Sequence, residues 1–475
     1  MSTQRSILGH SQIYVISLPP KIWRPKPSSR YIPVEYADDI DEGVFDYSHH
    51  GKAVYRPKLK WAHRNRQDLI PYNESTDKAE LDKGLVFGTD VPAAVRGKIS
   101  SLVIKYWDCF CHTGAKRTIL DYEFAIDTGA SPPVCCRKPS YGPHEKPIIM
   151  KQIAALLDNK WIRECGGAWG SQIVLAAKPH QEHVLDIKEF VWRLCVSYRG
   201  LNRVTKLFEY PIPRCDIAVT IFESGSGRMW IITVDAKQGY HQIKVRECDV
   251  EKLAFFGPDD KKYAFTVMPF GPVNAPAFYT CMMGSFKTEW DALFIECMSN
   301  LAASHAMIDG QVVSIINNDI YLDKVKLTSG TKTIIDDVLI WCNNLAAIFL
   351  YLECVCKVFQ KYRVSFRLDK CRFLQSRVEY VGHDLTPSGN CPAKSKFELI
   401  TDWPIPISGS ALHSFIGLVV FYFHYAPYLE IRIKPFRSMI KKYFRKTIPP
   451  LAWTQELIQL FEDIKLCITS SPVLA

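Results

Sequence analysis

Three aspartates carry the chemistry this sequence suggests. Asp235 closes the apolar run "MWIITVD", and Asp336 and Asp337 stand side by side in "TIIDDVLIW". Apolar arms flank that pair on both sides, which marks a hairpin with both carboxylates at its tip. A merely solvated turn would usually bring Gly, Pro or Asn with it. Two strand ends placed side by side would gather three carboxylates, a cluster that is costly unless cations neutralise it. Magnesium does so with a few carboxylates and substrate phosphates. Two such ions, about 4 Å apart, can activate an attacking hydroxyl and stabilise a leaving pyrophosphate.

The elements that must position these groups are legible from periodicity. "GSGRMWIITVDAKQGYHQIKV" predicts a turn, a strand over 228–235 and a second turn. "LAAIFLYLECVCKVFQKY" predicts a helix with Leu345, Ile348, Leu352, Val355, Phe359 and Tyr362 on one stripe. "VRGKISSLVIKYWDCF" and "PIIMKQIAALLDNKWI" predict two earlier helices, the second burying Ile149, Ile153, Leu156 and Leu157. "SQIVLAAK" and "VWRLCVSY" read as strands. Strands and helices mix without βαβ regularity, so the fold class is α+β. Residues 1–91 are rich in Pro and charge, with little periodicity, and predict an irregular arm or linker.

The 475 residues leave room for two to four domains. A net charge of +10 suits a polyanion such as nucleic acid. No signal core opens the chain, and the longest apolar stretch, "FIGLVVFYFHYAPYL", is too short to span a membrane and reads as a buried helix. The 16 cysteines form no CxxC pair, which predicts reduced thiols in an intracellular protein.

Five strings then occur in order: "WRLCVSYRGLNRVT", "VDAKQGYHQIKV", "MPFGPVNAPAF", "IIDDVLIW" and "VEYVGHDLTPSG". Together they resemble the successive motifs of a reverse transcriptase from a gypsy-type LTR retrotransposon, from about residue 92 onward. The resemblance implies a right-hand polymerase of fingers, palm and thumb, with a ferredoxin-like palm sheet. It implies fingers and palm over 92–385, with an insertion at about 284–332. Residues 386–475 would be the thumb and the start of a connection to an absent ribonuclease H domain. By the same resemblance Asp235, Asp336 and Asp337 are the metal ligands for two Mg2+, with Mn2+ as substitute. Lys370 lies near the pyrophosphate as a general acid. Arg193 and Lys178 contact the triphosphate, and Phe270 lies beneath the nucleotide. Tyr240 is the steric gate against a 2′-hydroxyl, and Tyr380, Val381 and Gly382 form the primer grip. The implied partners are an RNA template, a DNA or RNA primer and deoxynucleoside triphosphates, with no membrane. The location is intracellular, either a cytoplasmic virus-like particle or the nucleus. The oligomeric state is open.

Two decoys need separate treatment. "FAIDTGASPPVCC" contains the Asp-Thr-Gly string of retroviral-type aspartic proteases, which would make Asp127 a catalyst. The fingers motifs occupy the space a protease flap would need, and Pro132-Pro133 break the strand that should follow. "YADD" at 36–39 copies the polymerase box, yet precedes every fingers and palm motif. The family box usually opens with tyrosine, where this chain has Ile334, a departure that bears on primer contact. "FYFHYA" at 421–426 replaces a more basic family version. A second class of function therefore stays open: a relic that binds nucleic acid or a partner without catalysis.

Overall fold

The computed structural model describes residues 71–110, 118–177, 192–211, 229–304, 306–316, 319–386, 389–426 and 428–469, and the backbone of two short strands before them. The chain divides into two compact units, Met1–Leu59 and Lys60–Ala475. In the first, β1 (Val44–Asp46) and β2 (Val54–Arg56) pair antiparallel. The "YADD" string, with Asp38 and Asp39, lies outside the described residues.

In the second unit, the expected arm does not stay irregular as far as residue 91. Helix α1 (Glu74–Gly84) starts at Asn73, whose side-chain oxygen accepts from Ser75 N at 3.1 Å. Leu81 is its one buried large apolar side chain, so no stripe marks it in the sequence. Beyond it, Phe87 bridges Phe373 in parallel, tying this segment to the central body. Helices α2 (Ala93–Lys105) and α3 (Trp107–Phe110) bury Ile99, Val103, Trp107 and Phe110. After β3 (Glu123–Phe124), α4 (Glu145–Asp158) buries Ile149 and Ile153, while Leu156 and Leu157 are half-buried. Strand β4 (Ile162–Glu164) follows, then an antiparallel ribbon of β5 (Gln172–Ala177) and β6 (Trp192–Ser197), then α5 (Arg199–Val204).

The central sheet starts with β7 (Trp230–Asp235). Strand β8 (Lys244–Val245) runs parallel to β3, and β9 (Ala254–Phe256) and β10 (Lys262–Phe265) join β4 in a three-stranded sheet. Helix α6 (Ala275–Ala303) leads into a meander of β11 (Met307–Ile308), β12 (Gln311–Ile316), β13 (Asp319–Leu322) and β14 (Val325–Lys326). The long segment between the third and fourth motifs is therefore folded, as the end of a helix and a small sheet. Strands β15 (Ser329–Ile334) and β16 (Asp337–Cys342) form the expected hairpin, followed by α7 (Leu345–Tyr362) and β17 (Arg372–Gln375).

The central sheet has the order β15-β16-β7-β17, all antiparallel. With α6 between its first and second strands and α7 between its third and fourth, it is a βαββαβ unit of ferredoxin-like order. Alternation sets its two faces. Ile232, Val234, Val338 and Ile340 join the main core, and the predicted stripe of Ile348, Leu352, Val355 and Phe359 on α7 is buried in it. Ile231, Leu339 and Ile334 turn to the opposite face. There they meet Val378, Tyr380 and Leu385 in a small cluster of their own.

Those last residues come from β18 (Val378–Tyr380) and β19 (His383–Thr386), which with β20 (Gly389–Pro392) form a separate sheet. Helices α8 (Lys394–Thr401), α9 (Gly409–Phe421), α10 (Leu429–Tyr443) and α11 (Gln455–Thr469) enclose a second apolar core around Phe415, Ile433, Phe436 and Phe461. The apolar stretch from Phe415 supplies the second half of α9, which buries Phe415, Ile416 and Val419 on one face and leaves Phe421 exposed. No helix among the described residues is long and apolar enough to cross a membrane. Every described cysteine is free.

Candidate active site

Strand register brings the aspartates together. Asp337 is the first residue of β16 and lies directly opposite Asp235, the last of β7. Asp336 occupies the two-residue turn with Ile335, and its carbonyl accepts from Ala236 N at 3.0 Å. Ile335 has φ 51°, a left-handed conformation that a β-branched side chain disfavours. Strain of this kind survives only where the surroundings over-determine it. Here β15 and β16 pair without interruption up to the turn.

Lys370 extends its Nζ to Asp235 Oδ2 at 3.0 Å. Burial, with the negative charge of Asp235 adding to it, raises the carboxyls of Asp336 and Asp337 to about 6. The fully buried Tyr279 of α6 acts the other way on Asp336 and favours its ionised form. Neither Tyr279 Oη nor Asp336 Oδ1 has a well-formed hydrogen bond among the described residues. Gly239 explains how the chain passes so close. A Cβ there would lie 2.3 Å from Tyr279 Oη and 2.4 Å from Asp336 Oδ1.

The donors suit a hard divalent cation: two carboxylates raised by burial and mutual repulsion, and one orphaned buried oxygen. Among the described residues, no three side chains of ligating type converge on one point. Asp235 is held by Lys370 in this structure, so a cation would compete with an ammonium for it. The sign of the pH effect follows from the raised values. Between the ordinary 3.8 and about 6, the folded chain keeps protons the unfolded chain has lost, so stability falls as pH rises through that window. Above it the cost is fully present. Asp337→Asn should therefore stabilise the metal-free protein near neutral pH by about 1–3 kcal/mol, and by much less near pH 4. Melting curves at the two pH values check this; a variant no more stable than wild type at neutral pH contradicts it.

Of the other expected site residues, Lys370, Tyr380 and Val381 share a cleft with two of the aspartates. Tyr380 reaches the carbonyl of Asp337 with its hydroxyl at 3.2 Å. Val381 (φ 50°) and Gly382 (φ 79°) form the two-residue turn between β18 and β19, with the paired positive φ values of a type I′ hairpin. Asp235, Asp337, Lys370, Tyr380 and Val381 line one open cleft of about 740 Å³, shared with Arg372 and Arg377. Ile334 does not face this cleft. It is 6% exposed and packs in the small cluster with Tyr380. Tyr240 is 5% exposed beneath Phe270, which is 59% exposed and stacks on it at 4.8 Å between ring centroids. Burial and the charge of Asp336 raise the Tyr240 phenol to about 12. Arg193 is exposed on β6, opposite Ala176, with no ion pair among the described residues. Lys178 lies outside the described residues.

Asp127 stands apart from all of these. Its side chain is 60% exposed and paired with Lys206 at 2.9 Å. That lysine and the Gly129 N–H hold its carboxyl below the usual range. An aspartic protease needs two carboxyls sharing a proton, whereas this one is kept ionised by a cation. Its segment has a structural duty instead: Ile126 N donates to the buried Asp249 at 3.0 Å, and Lys252 donates to the Ile126 carbonyl at 2.6 Å. The motifs did not point to Gly239 as the residue that leaves room, or to Tyr279 as a neighbour of Asp336. Tyr279 lies 57 positions from Asp336 in the sequence and on a different element, so no spacing rule connects them.

Residues 188–385 match the family "Reverse transcriptase (RNA-dependent DNA polymerase)". The chain is 25% identical over 379 residues to the retrovirus-related Pol polyprotein from transposon 297 of Drosophila melanogaster, covering 79% of this chain and 31% of that protein. It is 24% identical over 287 residues to the transposon Tf2-3 polyprotein of Schizosaccharomyces pombe, covering 60% and 18%. The chain thus spans about a third or less of the length of these curated relatives. Among solved structures it is similar to a foamy viral protease-reverse transcriptase in complex with double-stranded DNA, with a TM-score of 0.65, 18% identity, and coverage of 86% of this chain and 62% of that one. The same viral protein in complex with an RNA/DNA hybrid gives 0.64 at 18% identity, covering 85% and 47%. These likenesses show the fold, an α+β right-hand polymerase. Residues 188–385 thus match a reverse transcriptase family, and the chain is similar to the Pol polyproteins of retrotransposons.

Proposed function

We propose that this chain is an RNA-directed DNA polymerase, adding deoxynucleotides to a primer 3′ end on an RNA template. The observation that carries the reading is the register placing Asp337 opposite Asp235, with Lys370 on Asp235 and Asp336 in the adjoining turn. Reverse transcriptases generally use divalent cations; here Asp235, Asp336 and Asp337 would hold two Mg2+. Bound there, they supply activation of the primer hydroxyl and neutralisation of the leaving pyrophosphate. Lys370, at the same cleft, is placed to protonate that pyrophosphate. Arg193, exposed and without an ion pair among the described residues, suits the incoming triphosphate. The β18–β19 hairpin holds the primer end beside the aspartates, and Tyr240 with Phe270 forms the floor under the nucleotide sugar.

Residues 92–385 serve as fingers and palm on this reading, with 284–332 as an inserted extension and 386–475 as thumb. The structural neighbours, which are complexes with double-stranded DNA and with an RNA/DNA hybrid, support nucleic-acid partners. Such work belongs inside the cell, where the template is. Primer extension by the purified chain on an RNA template with Mg2+ tests the proposal. Template-length DNA is expected. Binding of the primer-template without any extension would replace the enzyme with a non-catalytic relic.

A further inference from the structure

Tyr279 lies in the first turns of α6 and is fully buried. A buried tyrosine usually finds a partner for its hydroxyl. Its Oη has no well-formed hydrogen bond among the described residues, and Asp336 Oδ1 is orphaned too. An unsatisfied buried donor is costly, and so is an unsatisfied buried acceptor. These two converge on one point, the place a Gly239 Cβ would fill, 2.3 Å from one and 2.4 Å from the other. The backbone of the turn is already fixed by Ala236 N on the Asp336 carbonyl. What remains to be held is the side chain.

We infer that Tyr279 is a positioning residue for Asp336: its hydroxyl donates to Oδ1 and fixes how that carboxylate is presented to a divalent cation. The inference rests on the polymerase reading above, in which Asp336 is a metal ligand. Carboxylates that ligate metals are commonly held by such hydrogen bonds. Gly239 has a part in this arrangement, since any side chain there would fill the gap between the two oxygens. Lys370 cannot substitute for the tyrosine while its ammonium is engaged with Asp235.

Tyr279→Phe keeps the ring and removes only the hydroxyl. Mn2+ binding to the full chain, without primer or nucleotide, can be followed by electron paramagnetic resonance beside a metal-free thermal melt. The variant should bind Mn2+ about 10–100-fold more weakly. Its melting temperature should change little, because the buried ring that packs in the core is retained. Wild-type Mn2+ affinity in Tyr279→Phe would overturn the inference. Gly239→Ala approaches the same gap from the other side and should weaken Mn2+ binding too; unchanged binding there also counts against the assignment. Asp336→Asn separates the two levels. If the wild-type chain binds no Mn2+, or Asp336→Asn binds it as tightly as wild type, the metal reading falls and the role of Tyr279 falls with it.

Discussion

Asp336→Asn should slow primer extension by about 1000-fold, the scale expected when a metal-held transition-state interaction is lost. The substitution is nearly isosteric and leaves the main chain of the turn alone. Ala236 N still finds the residue 336 carbonyl, and β15 and β16 still pair up to the turn. What changes is charge. An amide cannot supply the anionic oxygen that a hard cation prefers. Single-nucleotide incorporation at saturating Mg2+, compared with a thermal melt of the same preparation, separates chemistry from folding. A folded variant that extends primers at close to the wild-type rate would remove Asp336 from the site. Asp336→Asn loses activity although Asp337→Asn is expected to gain metal-free stability, because the burial that raises both carboxyls also works against their ionised form in the absence of a cation.

The hairpin was legible because its signal is local: two apolar arms, no turn-forming residue and a pair of aspartates. The partnership of Asp235 with Asp337 followed only from the order of motifs, since nothing local fixes which strand end meets which. The stripe on α7 was equally plain, four of its side chains being wholly buried. Two parts were hidden for physical reasons. Helix α1 buries too little apolar surface to show a period, so its sequence reads as a charged linker. Ile334 shows the opposite problem. As a departure from a tyrosine it suggests an altered contact with the primer, and its side chain lies on the face of the sheet that packs against Tyr380. Only the pleat, which alternates faces along β15, decides that direction.

The "DTGAS" string misleads for a related reason. A motif of five residues records backbone tolerance and side-chain type, not neighbours. In this chain Asp249 and Lys252 anchor the segment, while Lys206 holds Asp127 ionised. The polymerase motifs carry more weight because each fixes a different element and three of the five, those with Asp235, Asp337 and Tyr380, meet at one cleft.

Tyr240→Ala should raise ribonucleotide incorporation relative to deoxynucleotide by about 100-fold, the selectivity that relief of a clash of a few kcal/mol would release. Tyr240 follows Asp235 by five residues, and the intervening Gly239 lets the backbone turn tightly against Asp336. Its ring stacks under Phe270 and lies 5.2 Å from the ring of Tyr279. Removing it leaves a void next to the aspartates, so the same variant should also lose about 3–5 kcal/mol of stability. Phe270, far more exposed, would then lack its support and could no longer hold a fixed floor beneath the sugar. The two effects have different readouts. A thermal melt reports the void, whereas the ribo-to-deoxy ratio of incorporation reports the gate. A lowered melting temperature with an unchanged ratio would leave Tyr240 as a packing residue and transfer sugar selection to another side chain. Tyr240→Phe sharpens the result: it keeps the ring and loses only a hydroxyl, so it should retain wild-type discrimination if the ring itself excludes the 2′-oxygen.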